Sequence, residues 1–385
     1  MEKLPINIDV LIWARTSIGL TIEEVAKKFK KSPKEILDWE FGITSPTYIQ
    51  LEKLAFEIYK RPIAVFFFPS IPYEENPKTE FRTLPEIVAS ELPTNILKLY
   101  RNAKLFQYYL EEIFENKKPV DNDFVGRFSI NKDSNVSVIA TEIRQFVGVS
   151  IEVQSKWNST ETAFNNWRNL LEANGIFVFK DAFKNDDYSG FCLYHDKYPV
   201  IYVNNSMPFS RQVFTLFHEL AHLLVRTSGI DFRSNTFIKT FTGYFKDIEV
   251  FCNHFASEFL VPDSVIDSFE LIISESQFAK LANYFSVSRE VILRKYLERN
   301  IIDKKYYDEF SKKWIEESQN RRSEGEGGSY YNNKKAYLGD RYISLVYGKY
   351  YQNKINLDTV SQYLNVKMKK LPMFENIVME GGLSK

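Results

Sequence analysis

RQVFTLFHELAHLL, residues 211–224, is the stretch on which the reading of this chain turns. Its apolar spacing is helical from Ser210 through Arg226. His218 and His222 stand four residues apart, about one turn, so both imidazoles project from one face and suit a single zinc ion. Glu219 lies beside them, where a general base for water belongs. The chain holds only four histidines. An accidental HExxH is then expected in on the order of a few sequences per thousand.

A catalytic zinc takes three protein ligands and keeps one position open. The third belongs on a neighbouring element, and Asp231, Asp247, Glu249, His254 and Glu258 are the downstream candidates. Helical periodicity resumes over 247–260, and there Glu249 and Asn253 share a face. In that arrangement Glu249 ligates and Asn253 accepts a hydrogen bond from a ligating histidine, fixing its tautomer. Position alone leaves Glu249 level with an ordinary solvated carboxylate at a helix start. His254 is five residues from Glu249, roughly 140° around the helix, which favours a core or surface place. With Arg211 and His195, which neighbours Asp196, it completes the residues considered for the cleft and its oxyanion.

The wider composition bounds the rest. A length of 385 residues suggests two to three domains, and 44% apolar with 16% aromatic residues supplies packed cores, excluding wholesale disorder. Fifty basic against fifty acidic residues leave no chain-wide field for a polyanion, so nucleic-acid contact must be local. Two cysteines, Cys192 and Cys252, exclude a disulfide scaffold, fit a reducing compartment and are expected as buried packing. No apolar segment follows a basic start, and the longest apolar run, Ile63 to Phe68, is far too short for a bilayer. A soluble, cytoplasmic protein without membrane contact is expected.

Along the chain, residues 1–62 read as short helices. Thr21 with Glu24, and Ser32 with Glu35, form capping-box patterns on either side of a turn near Lys30–Lys31. This is helix-turn-helix spacing. Prolines punctuate residues 63–95, a connector. Residues 96–300 form the domain with HExxH: helices over 96–114, 136–147 and 164–171, a small sheet from 176–179, 191–195 and 199–203, then helices. A helical pair over 275–285 and 289–299 is expected to pack in that domain. Residues 301–385 form a helical extension with a flexible loop at 323–329. The fold class expected is α+β.

Two resemblances sharpen this. Arg211, Phe214-Thr215-Leu216, His218 to His222, then Glu249, Asn253, Phe255-Ala256, Glu258, Leu260 and Pro262 resemble the signature of the ImmA/IrrE family of HExxH metallopeptidases. LEANGIFVF, Ser189-Gly190-Phe191 and Val203–Asn205 are similar as well. The likeness covers roughly residues 165–265. Ala221 stands where the family commonly has Gly, and Phe251-Cys252 where it has Glu-Ala. The resemblance implies a zincin-like domain, zinc held by His218, His222 and Glu249, Glu219 as catalytic base, and a regulatory, repressor-like protein as substrate.

Residues 10–61 resemble the Cro/repressor type of helix-turn-helix through Arg15, Leu20-Thr21, Val25-Ala26, Ile36, Trp39-Glu40, Gly42, Pro46 and Leu54-Ala55. Ile22 replaces the Gln often found at the start of the second helix. The likeness implies duplex DNA as partner, read by Lys30, Lys31, Ser32, Lys34 and Glu35. Yet residues 1–62 carry ten Lys or Arg against nine Asp or Glu, a weak charge for that task. The competing expectation is a DNA-binding regulator, or an antitoxin-like partner protein, whose zinc site is structural or idle. Long members of the family look like components of toxin-antitoxin or mobile-element loci, and a nearby toxin-like protein is the other partner implied.

Overall fold

The computed structural model describes residues 4–59, 61–72, 92–121, 123–128, 130–232, 243–321 and 329–383. It is α+β, and the chain divides into two compact units, the first ending at Asn102 and the second running from Ala103 onward.

In the first unit, α1 (Ile8–Thr16), α2 (Ile22–Phe29), α3 (Pro33–Glu40) and α4 (Tyr48–Glu52) lead into a π-helical turn, Lys53–Tyr59, and a 3-10 turn, Ile63–Phe67. Both capping boxes form: Thr21 with Glu24 starts α2 and Ser32 with Glu35 starts α3. Lys30 takes the left-handed conformation that ends α2, at φ 55°. Val10, Leu11, Ala14, Val25, Ala26, Ile36, Trp39, Leu51, Leu54 and Ala55 form the core. Leu37, one of the apolar positions of this pattern, faces out instead. Arg15 clamps α1 to α3 through Glu40, donating Nε to Oε1 at 2.6 Å and Nη2 to Oε2 at 2.8 Å. Most of the Pro-rich connector, residues 73–91, lies outside the described residues.

The helix α5 (Thr94–Ile113) begins in the first unit, and its residues from Ala103 belong to the second. There follow α6 (Phe124–Arg127), α7 (Val136–Val147), α8 (Ile151–Gln154) and α9 (Thr160–Ala173). The sheet comes next, β1 (Phe177–Asp181), β2 (Tyr188–Leu193) and β3 (Val200–Asn204), then the HExxH helix α10 (Phe209–Leu224) and a fourth strand, β4 (Gly229–Phe232). After it come α11 (Gly243–Leu260), α12 (Asp263–Ile266), α13 (Glu275–Tyr284), α14 (Arg289–Glu298) and α15 (Lys304–Arg321). The extension adds α16 (Tyr330–Leu338), α17 (Asp340–Tyr351), α18 (Leu357–Leu364) and α19 (Leu371–Leu383). The loop expected at 323–329 lies outside the described residues, Ser329 excepted.

Strand order is β1-β3-β2-β4, with β1 parallel to β3 and β2 antiparallel to both its neighbours. Side chains alternate across the sheet. Val178, Cys192, Ile201 and Val203 point into one core with α10, α11, α13 and α14. On the opposite face Phe106 of α5 stacks on Phe179 at 4.0 Å, and Tyr342 of α17 meets both rings edge-on. The extension is thereby packed against the sheet. Arg168 of α9 fastens it further, donating to the carbonyls of Ala336 at 2.7 Å and Tyr337 at 3.3 Å. Phe278, Leu281, Val291, Ile292 and Tyr296 of the helical pair are buried in the same core as α10.

The sheet meets α10 at Gly190, where a Cβ would come 2.5 Å from Thr215 Cγ2 and 2.9 Å from the Tyr202 carbonyl oxygen. Only a bare α-carbon lets the strand approach the helix this closely. Gly190→Ala is expected to cost about 1–3 kcal/mol through overpacking, seen as a lower urea midpoint for the second unit; an unchanged midpoint would contradict the close approach.

Candidate metal centre

The helix α10 is buried along nearly its whole length, its polar Gln212, Thr215, His218, Glu219 and His222 included. Helix α11, buried on the side that carries Glu249, packs across it and brings Glu249 opposite the two histidines. Glu249 Oε2 lies 3.4 Å from His218 Nε2, and Oε1 lies 3.3 Å from His222 Nε2. One donor atom from each of the three residues falls within 4.8 Å of the others. Ligands about 2.0–2.1 Å from a tetrahedral zinc stand roughly 3.3 Å apart, so the carboxylate-to-imidazole spacing matches. None of His218, Glu219, His222 and Glu249 is more than 2% exposed.

These atoms are also unsatisfied. Both ring nitrogens of His218, His222 Nε2, Glu249 Oε1 and both oxygens of Glu219 are buried without a hydrogen bond. Buried polar groups are normally paired, and each orphan costs about 1–3 kcal/mol. Two imidazoles and a carboxylate converging in a buried core, with most of the atoms that face one another left without a hydrogen bond, fit a divalent cation by donor chemistry and by spacing. The chain's own charges add to this. Burial pushes the Glu219 carboxyl up to about 8. Burial opposes ionisation of Glu249 too, but the facing His222 and His218 hold it down at about 2. Burial lowers His218 while Asp231 and Glu249 raise it, leaving it at about 9.

The other candidates for the third ligand are engaged elsewhere. Asp231 accepts both contacts of Arg211 Nη2, at 2.7 and 2.9 Å, and the Thr215 hydroxyl at 2.8 Å. Arg211 also donates Nε to Ser189 at 3.0 Å. It therefore ties α10 to β2 and β4 rather than facing the histidines. Asp247 is exposed and pairs with Lys132 at 3.5 Å. Glu258 is buried against Lys295 and accepts from Ser137 at 2.9 Å. His254 is half-exposed beside Glu298 at 3.7 Å, as its position around the helix predicts. His195 Nδ1 accepts the N–H groups of Lys197 and Tyr198, both at 3.1 Å, closing the turn between β2 and β3. Asn253 differs from expectation. Its amide donates to the Glu249 carbonyl at 2.9 Å, one turn back in its own helix, a local acceptor that a short amide side chain readily finds.

Sequence reading missed β4, because Gly-Ile-Asp-Phe is too short for its alternation to stand out, although this strand positions Asp231 against α10. Cys192 and Cys252 are buried, as expected, and the Cys192 thiol sits near Glu219.

In the first unit, three of the five residues named for DNA are bonded to one another. Lys31 Nζ meets Glu35 at 2.6 Å, and Glu35 and Ser32 satisfy each other's backbone N–H groups. Lys30 and Lys34 are exposed.

Residues 171–296 match the family model of the M78 peptidases, described as the IrrE N-terminal-like domain, and residues 11–55 match a helix-turn-helix domain. A search of curated proteins finds no match to the chain. Among the described residues no helix is long and apolar enough to cross a membrane.

Cation binding requires neutral imidazoles and releases protons. With His218 raised from 6.5 to about 9, zinc affinity of chelator-treated protein is expected to climb with pH across that window, by up to about tenfold per unit. The same shift stabilises the chelator-treated fold below pH 6.5, and this contribution is lost as pH rises through about 9. Zinc titration calorimetry from pH 6 to 9 checks the slope, and a flat profile would contradict the charge arrangement.

Proposed function

We propose that this chain, built on an IrrE N-terminal-like domain and a helix-turn-helix domain, is a zinc-dependent endopeptidase that hydrolyses a specific repressor-like regulatory protein. Glu219 carries the reading. It is fully buried next to both histidines, and neither of its oxygens has a hydrogen bond. A zinc held only for folding needs no such group, whereas peptide hydrolysis does.

His218, His222 and Glu249 would hold the ion. When bound, zinc supplies Lewis acidity for the scissile carbonyl and lowers the pKa of water. Glu219 takes the proton of the attacking water and later hands it to the leaving amine. The hydrophobic walls of α10 and α11 exclude bulk water from this transfer. No side chain of the protein is acylated on this route.

The helix-turn-helix domain is assigned to duplex DNA, with Lys30 and Lys34 as its exposed cations. Both flank the start of α3, the helix that enters the major groove in domains of this type. In this reading the domain carries the peptidase to the site where its substrate is bound.

Metal analysis of wild type and His218→Ala, followed by incubation with helix-turn-helix regulators encoded beside it, tests the peptidase. One zinc per chain is expected in wild type and in Glu219→Gln but not in His218→Ala, with cleavage by Glu219→Gln reduced at least about a hundredfold. Zinc with no cleavage, and DNA binding indifferent to Glu219→Gln, would favour the regulator with an idle site. For the DNA assignment, Lys30→Ala with Lys34→Ala is expected to weaken binding to all sequences and lower the salt slope by about 2; an unchanged slope in a fluorescence titration would remove it.

A further inference from the structure

His222 is the better seated of the two histidines, and the seat lies in the segment between α10 and β4. Thr227 Oγ1 donates to the His222 carbonyl at 3.2 Å, and the Thr227 N–H bonds the same oxygen at 2.9 Å. The same hydroxyl lies 3.4 Å from His222 Nδ1. Its one hydrogen is spent on the carbonyl, so it faces the ring with a lone pair. With that hydrogen on the carbonyl, Nδ1 is the protonated nitrogen of His222 and Nε2 is bare on the side of Glu249.

Gly229 sets the tilt of the ring. A Cβ there would stand 2.5 Å from His222 Cδ2 and Cγ and 2.7 Å from Nδ1. The imidazole thus rests on the α-carbon of β4, where any other residue would push it away. The turn is itself braced from β2: the Cys192 thiol donates to the Thr227 carbonyl at 3.8 Å, and the Tyr194 N–H to Ser228 Oγ at 2.8 Å. His218 has no such seat, since its Nδ1 is without a hydrogen bond among the described residues.

We propose that Thr227 and Gly229 are positioning residues that preset the tautomer and tilt of His222 for the cation. This rests on the reading of His218, His222 and Glu249 as a metal site. It also gives Cys192 a task, that of a strut between β2 and the turn. Partners of this kind orient metal-binding imidazoles and change affinity by about 10–100-fold when removed.

The test uses the full chain with zinc as probe. Thr227→Val, nearly isosteric, is expected to weaken zinc about 10–100-fold in a competitive titration, while Thr227→Ser, which keeps the hydroxyl, binds as wild type. Gly229→Ala is expected to weaken zinc with the hydroxyl still in place. Nitrogen-15 NMR of the imidazoles, simple with four histidines, should show His222 protonated at Nδ1 in wild type and a tautomer mixture in Thr227→Val. Wild-type affinity and an unmoved His222 signal in Thr227→Val would overturn the proposal. So would equal losses in the valine and serine variants, since serine keeps the hydroxyl. Absence of zinc from wild type would overturn the metal reading itself, a result distinct from both.

Discussion

Two imidazoles and two carboxylates, buried at the meeting of α10 and α11 with almost no hydrogen bonds among them, form the constraint around which the second unit is arranged. Hydrophobic burial alone would expel such groups, since each unmatched polar atom and each buried charge costs free energy. They remain because the core around them is large and rigid. Helix α10 is buried along most of its length, with β2, β3 and β4 packed against it and α9 and α11 packed against it as well. The polar atoms left over are those a cation would satisfy. Stability and chemistry are thus opposed at this point, and the surrounding packing outweighs the local cost.

Much of this was legible in the sequence because it follows from period and chemistry. The one-turn spacing of His218 and His222 fixes their common face without any tertiary information, and the capping residues Thr21, Glu24, Ser32 and Glu35 mark where α2 and α3 begin. What sequence could not supply were relations between elements. Glu249 was one of five downstream candidates until the crossing of α11 over α10 placed it alone beside the histidines. Strand β4 has four residues, too few for the alternation of Ile230, Asp231 and Phe232 to announce it. Asn253 shares a helical face with Glu249, but a short amide side chain finds its own backbone carbonyl first.

The first unit shows the same division. Its helix starts follow from local chemistry, and the bidentate Arg15–Glu40 pair is a tertiary contact between residues that the repressor resemblance singles out separately. Charge reading was coarser. A cluster of lysines looks like a basic patch in sequence, yet Lys31 is drawn onto Glu35 and lies 5.8 Å over the Trp39 ring. The net charge of such a domain says less about polyanion contact than the number of cations not already committed to its own folding.

The extension bears on modularity. Arg168 donates to the backbone of Ala336 and Tyr337, and its guanidinium lies so close to Gly339 that a side chain there would strike it. Phe106 and Tyr342 cover the face of the sheet that α10 leaves open. The segment recognisable by likeness ends at residue 296, but the folding unit does not. A descendant that shed the last quarter of the chain would bare an aromatic sheet face and strand a buried arginine. The extension is therefore no separable appendage: it belongs to the same compact unit as the sheet and α10, and the sheet face it shields would otherwise lie bare.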